Sequence, residues 1–239
     1  MPAVDGLKIK IFMDGADVDS IKSSAVKFPF VKGYTTNPTL MRKAGVKDYQ
    51  VFAREALAAA GELPISFEVF SDDFDDMARQ ARIIASWGRN AFVKIPVTNT
   101  KGESSCPLIE KLTDEGLRIN VTAVISLNQV KKLTGILNKD VPAVVSVFAG
   151  RVADTGRDPM PHMTEALSAL RPFPKAELLW ASPRELLNVF QAEETGCHII
   201  TLTPDLLAKL KLVGKDLDEF SLETVKMFYD DACAASYDL

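Results

Sequence analysis

The chain has 239 residues, of which 47% are hydrophobic and 25% charged, with a formal net charge of −4. That is an ordinary globular composition, long enough for one large α/β domain. The acidic balance and the lack of any Lys/Arg run of five exclude a nucleic-acid or anionic-membrane partner from expectation. The three cysteines, Cys106, Cys197 and Cys233, form no CxxC, and the two histidines, His162 and His198, stand far apart. Neither a disulfide framework nor a metal site is expected. The N-terminal "MPAVDGLKIKIFMDG" lacks the apolar core of a signal peptide, and no run approaches a membrane span. A reducing, cytoplasmic compartment is the expectation.

In chain order, short apolar runs alternate with amphipathic stretches. "KIKIFMD" (8–14), "VKGYTTN" (31–37) and "PISFEVF" (64–70) read as the first three strands, with a helix beginning near Asp17. "DDFDDMARQARIIASWG" (72–88) sets Phe74, Met77, Ala81 and Ile84 on one helical face and stops at Gly88. "AFVKIPV" (91–97) and "RINVTAV" (118–124) are strands four and five. "SLNQVKKLTGILN" (126–138) is a helix capped by Ser126. "AVVSVFA" (143–149) and "AELLWAS" (176–182) are the next two strands. "SPRELLNVFQAEETG" (182–196) offers Ser182 as N-cap, Pro183 in the first turn and Gly196 past the end, and "HIITLT" (198–203) is the eighth strand. The tail, 221–236, reads as an extra C-terminal helix.

Eight apolar strands, each followed by a helix, with no linker between, predict an α/β fold: one (β/α)₈ TIM barrel spanning residues 1–239. A doubly wound open sheet is the competitor, but "MDGADVD" is no GxGxxG. In a barrel, chemistry gathers where strands end. Those ends supply Asp14, Thr36, Asn37, Glu68, Lys94, Asn120, Thr122, Ser146 and Ser182.

Lys94 poses the sharpest question, because an ammonium group in an apolar run is expensive to bury unpaired. It is either a lysine reaching the barrel mouth to meet an acid, or a nucleophile whose desolvation favours the neutral amine that forms a Schiff base. Glu68, between two phenylalanines, is correspondingly its ion-pair partner or the holder of a water that shuttles protons. Asp14 is a helix cap or the base for a hydroxyl proton. His162 is a surface residue or one that reaches a ligand from a helix start, the polar loop carrying Lys101, Ser104 and Ser105 is solvated or closes over the site, and Cys106 has no catalytic part.

The stretches "MDGADVDSI", "GYTTNPTLM", "SFEVF", "FVKIPVT", "NVTAVIS" and "VFAGRVADTGRDPM" resemble, in order, the signatures of the transaldolase family. The closest branch is that of the small bacterial transaldolases and fructose 6-phosphate aldolases. The resemblance implies a Schiff-base lysine at Lys94, proton transfer by Asp14, and a catalytic water held by Glu68 and Thr122. It assigns Asn37 and Ser146 to the hydroxyls of a dihydroxyacetone unit, with Thr35, Thr36 and Asn120 lining the same pocket. Arg151 would grip a substrate phosphate with its planar fork. It implies sugar phosphates as partners, no cofactor, and a homo-oligomer, pentamer or decamer, built through a C-terminal helix.

Within the resemblance, the aldolase branch has glutamine at the place of Glu68 and tyrosine at the place of Phe148, so this chain carries the transaldolase choices at both. An aldolase releasing dihydroxyacetone and a non-catalytic sugar-phosphate-binding barrel are the alternatives. One departure stands out. "LWASPRELL" runs from Ser182 straight to Pro183 and Arg184, as if about three residues of the family pattern were missing. Arg184 is then either a displaced second phosphate cation or a first-turn residue facing solvent.

Overall fold

The computed structural model describes residues 6–238. Eight parallel strands close into a barrel in sequence order: β1 Lys10–Asp14, β2 Val31–Thr35, β3 Ile65–Glu68, β4 Ala91–Pro96, β5 Ile119–Val124, β6 Ala143–Val147, β7 Ala176–Trp180 and β8 Ile199–Leu202. The predicted (β/α)₈ barrel is therefore the observed fold. No helix of the described residues is long and apolar enough to cross a membrane.

Two apolar clusters hold it together. The larger lies between strands and helices and includes Phe67, Ile65, Val93, Ile119 and Trp180, all without exposed surface. Each such side chain contributes roughly 1.5–3 kcal/mol by leaving water. The smaller fills the barrel itself with Phe12, Val144, Leu179, Ala181 and Ile199. Gly33 is required there: a Cβ on it would come within 2.5 Å of the Phe12 ring. Alternation along the strands then turns the next inward positions toward the mouth.

Helix starts follow the sequence where a side chain can cap. Asp17 caps the helix Val18–Lys27, Asp73 caps Phe74–Ser86, and Ser126 with Gln129 forms a capping box for Leu127–Leu133. Asp17 being the cap, Asp14 is not one. The helix expected over 126–138 ends early, before Gly135, whose lack of a side chain makes it a poor helix residue.

The expectation for Ser182 fails. The helix after β7 is Leu187–Glu194, starting five residues later, and Ser182 makes no cap. Pro183 disfavours helical conformation in the residue before it, and Ser182 instead adopts φ 57°. Asn188 takes over, its Oδ1 accepting from the backbone N–H of Arg184 at 2.7 Å and of Glu185 at 3.2 Å. The C-terminal helix is Leu217–Ala234, beginning at the Asp216 cap rather than at 221. None of its residues is buried, and Leu217, Leu222, Val225 and Phe228 stand more than half exposed.

Candidate active site

Parallel register sets Glu68, Lys94 and Asn120 side by side on β3, β4 and β5, and pairs Asp14 with Thr35 on β1 and β2. A cavity of about 600 Å³ opens above them at the C-terminal mouth. It is lined by Asp14, Thr35, Asn37, Glu68, Lys94, Thr122, Ser146, Phe148, Arg151, Ser182 and Arg184. A larger cavity, about 810 Å³, lies against the helices Val18–Lys27 and Tyr49–Ala60 and contains none of these residues.

Lys94 is 6% exposed. Its Nζ donates to the Thr36 carbonyl at 2.9 Å and stands 3.3 Å from Glu68 Oε2. Burial raises the Glu68 carboxyl above its ordinary range; the Lys94 charge and hydrogen bond pull it down, and the Asp14 charge adds to the rise. Asp14 is likewise raised by burial, against the Lys94 charge and a hydrogen bond from Thr35. Two carboxyls with a heightened hold on a proton thus face one desolvated amine.

The hydroxyls divide by role. Thr35 Oγ1 donates to Asp14 Oδ1 at 2.7 Å and lies 2.6 Å from Thr201 Oγ1, so Thr201 donates to Thr35 in an ordered chain. Ser146 Oγ donates to Asn120 Oδ1 at 2.7 Å, and Asn120 Nδ2 donates to Ser66 Oγ at 3.0 Å. Thr122 Oγ1 is buried without a hydrogen-bond partner among the described residues. An unpaired buried hydroxyl is costly in a finished core, so it is a bonding group available to a ligand or water.

Not every expected residue reaches the cavity. Thr36 and Asn120 have no exposed surface and lie behind its wall; the Thr36 hydroxyl is spent on the Ser66 carbonyl. Asn37 lines the cavity while its Oδ1 caps the helix Pro38–Lys43. Arg151 lies over the Phe148 ring, 5.7 Å from its centroid. Arg184 reaches the cavity but its guanidinium is paired with Asp154. Lys101, Ser104, Ser105, Cys106 and His162 are not part of this lining.

Sequence reading missed Thr201 and Lys43, both of which line the cavity. Thr201 had a signal: it falls two residues beyond Ile199, on the inward parity of β8. Lys43 had none, because its approach depends on how a six-residue helix is laid across the mouth. Among the described residues no three His, Cys, Asp or Glu side chains gather as a metal would require.

Fold and cavity define a barrel protein that holds a buried lysine under the influence of two carboxylates at the ends of its strands. The chain belongs to the transaldolase/fructose-6-phosphate aldolase family, whose model matches residues 11–238. It is similar to the "Probable transaldolase" of Dehalococcoides mccartyi, 36% identical over 203 residues that cover 84% of this chain and 90% of that one. The "Probable transaldolase 2" of Listeria monocytogenes is 34% identical over 217 residues, covering 89% and 94%. Among solved structures, that of KGPDC from Streptococcus mutans shares the fold alone, with a TM-score of 0.53, 9% identity, and coverage of 82% and 88%.

Proposed function

We propose that this protein is a transaldolase working through a Schiff base on Lys94, transferring a dihydroxyacetone unit from a ketose phosphate to an aldose phosphate. The observation that carries the reading is Lys94 itself, buried yet opening into a cavity shared with Asp14, Glu68, Ser146 and Arg151. Glu68, with its raised affinity for protons, takes the proton that leaves Lys94. The neutral amine attacks the C2 carbonyl of a donor such as fructose 6-phosphate, and loss of water gives an iminium. Asp14 accepts the C4 hydroxyl proton as the C3–C4 bond breaks; the bonding electrons pass into the iminium to give an enamine, and the aldose phosphate departs. The enamine carbon then adds to the acceptor aldehyde, Asp14 returns its proton to the new hydroxyl, and water admitted by Glu68 and Thr122 hydrolyses the imine.

Phe148 has no hydroxyl to offer water at the enamine, which supports transfer over release of free dihydroxyacetone. We also propose that a second copy of the chain covers the exposed apolar residues of Leu217–Ala234, giving a homo-oligomer, and that the protein works in the cytoplasm. Light scattering on the full chain and on a Phe228→Glu, Val225→Glu variant tests the assembly; a monomeric wild type overturns it.

Borohydride trapping with fructose 6-phosphate alone tests the mechanism. The expected result is a reduced three-carbon adduct on the peptide bearing Lys94, lost when erythrose 4-phosphate precedes the borohydride. An adduct on another lysine, or none, overturns it.

A further inference from the structure

Besides Lys94, three cations line the cavity, Lys43, Arg151 and Arg184, and they are not equivalent. Arg151 has the Phe148 ring beneath it and no salt bridge among the described residues. Arg184 is engaged from two prongs: its Nε donates to Asp154 Oδ1 at 3.0 Å and its Nη2 donates to Asp154 Oδ2. Those are two N–H groups of the kind that meet a phosphate in parallel, because a carboxylate and a phosphate present the same two-oxygen edge to a guanidinium.

The backbone builds this pair. A Cβ on Gly150 would lie 1.6 Å from the Ser182 carbonyl oxygen, so glycine alone lets the helix Ala149–Ala153 rest against the segment 182–184. Asp154, the C-cap of that helix, is thereby brought level with Arg184, whose own backbone N–H is held by Asn188. The two side chains are 48% and 51% exposed, so the carboxylate has water to turn into when it lets go.

We propose that Asp154 is a specificity-determining residue that competes with a substrate's phosphate for the Arg184 fork. The inference rests on reading the cavity as a sugar-phosphate site. A doubly charged phosphate exchanges for the carboxylate at Arg184, and the carboxylate swings into solvent. A singly charged end group leaves the pair intact and meets only Arg151 and Lys43, with the Asp154 charge beside it as a repulsive element. The carboxylate therefore weakens phosphate binding in general while favouring dianions over singly charged end groups.

The test is inorganic phosphate binding to the full chain, by calorimetry at fixed ionic strength. Asp154→Asn binds phosphate roughly fivefold more tightly than wild type, the scale of an exposed pair removed from competition. Asp154→Ala, which cannot hold the guanidinium at all, shows a gain of the same sign. Both gains vanish in an Arg184→Met background, and the kcat/KM ratio for fructose 6-phosphate over fructose rises in step. Unchanged or weaker phosphate binding by Asp154→Asn, an equal gain with Arg184→Met, or no phosphate binding by any of the proteins overturns the proposal. Because the calorimetric arm needs no turnover, a wild type that binds phosphate but transfers no three-carbon unit defeats the transaldolase reading and leaves the competition at Arg184 standing or falling on its own result.

Discussion

Two lysine–glutamate pairs join strands of this barrel, one at each end. At the N-terminal end Lys10 of β1 lies 2.5 Å from Glu177 of β7, with side chains 43% and 33% exposed. At the C-terminal mouth Lys94 of β4 lies 3.3 Å from Glu68 of β3, with side chains 7% and 16% exposed. The shorter pair is the one with less chemistry in it. Water screens Lys10 and Glu177, so their attraction is worth little. Lys94 has exchanged water for one carbonyl and one carboxylate, and the carboxylate is itself pushed toward its protonated form. Burial, rather than distance, separates a pair with strongly perturbed electrostatics from one that water screens.

Substitution at the two lysines tests that contrast most severely. Lys94→Met removes the proposed nucleophile and should lower transaldolase turnover by about 10³-fold or more. Lys10→Met should leave turnover within about twofold and cost at most about 1 kcal/mol of stability. Steady-state kinetics and urea unfolding read both, and a deep loss of turnover from Lys10→Met would break the comparison.

Asp14→Asn comes next, with an expected loss of about 10²–10⁴ in turnover as the proposed general base disappears. The same variant should be more stable than wild type at neutral pH. Asp14 has its folded pKa raised, so the folded state holds the proton more tightly than the unfolded chain does. The stability this gives is fully present below the ordinary carboxylate pKa of about 3.9 and is lost as pH rises through the folded value. The gain from Asp14→Asn should therefore be visible in urea midpoints at pH 7 and shrink to nothing in acid. A variant less stable than wild type at pH 7 would show that the Lys94 attraction outweighs the burial.

Strand parity and the apolar runs made the barrel and most of the mouth legible in the sequence. Lys94, Glu68 and Asp14 stood out because each interrupts or ends an apolar run, which is a local signal. What stayed hidden depends on packing between segments distant in sequence. The spending of the Thr36 hydroxyl on Ser66, the reach of Lys43, and the capture of Arg184 by Asp154 are of this kind. Ser182 misled for the same reason: Ser-Pro is a sound local start signal, but Asn188 and the close pass of Gly150 decide that segment. The C-terminal helix was readable as a helix, while its exposed apolar side chains are visible only once the barrel is complete without them.

The smallest expected effect sharpens the comparison by sign. His198 sits beside the Lys10–Glu177 pair, and its pKa is lowered chiefly by burial, with Glu177 opposing and Lys10 assisting. The Leu178 backbone N–H donates to its Nδ1 at 2.9 Å, a bond that only the neutral ring can accept. Its contribution is complete above the unfolded value of about 6.5 and is lost as pH falls through that value toward the folded one. The mouth carboxylates run the other way, stabilising the fold as pH falls from neutral. Urea midpoints between pH 7 and 5 should accordingly fall in Asp14→Asn, where the His198 loss is less opposed. They should rise in His198→Asn, where the carboxylate gain stands alone. The histidine's share of the first slope should amount to less than about 1 kcal/mol after allowance for its partial exposure. Lys10→Met should flatten the histidine's share, because removing that positive charge makes protonation of the ring easier in the folded state and narrows its difference from the unfolded chain.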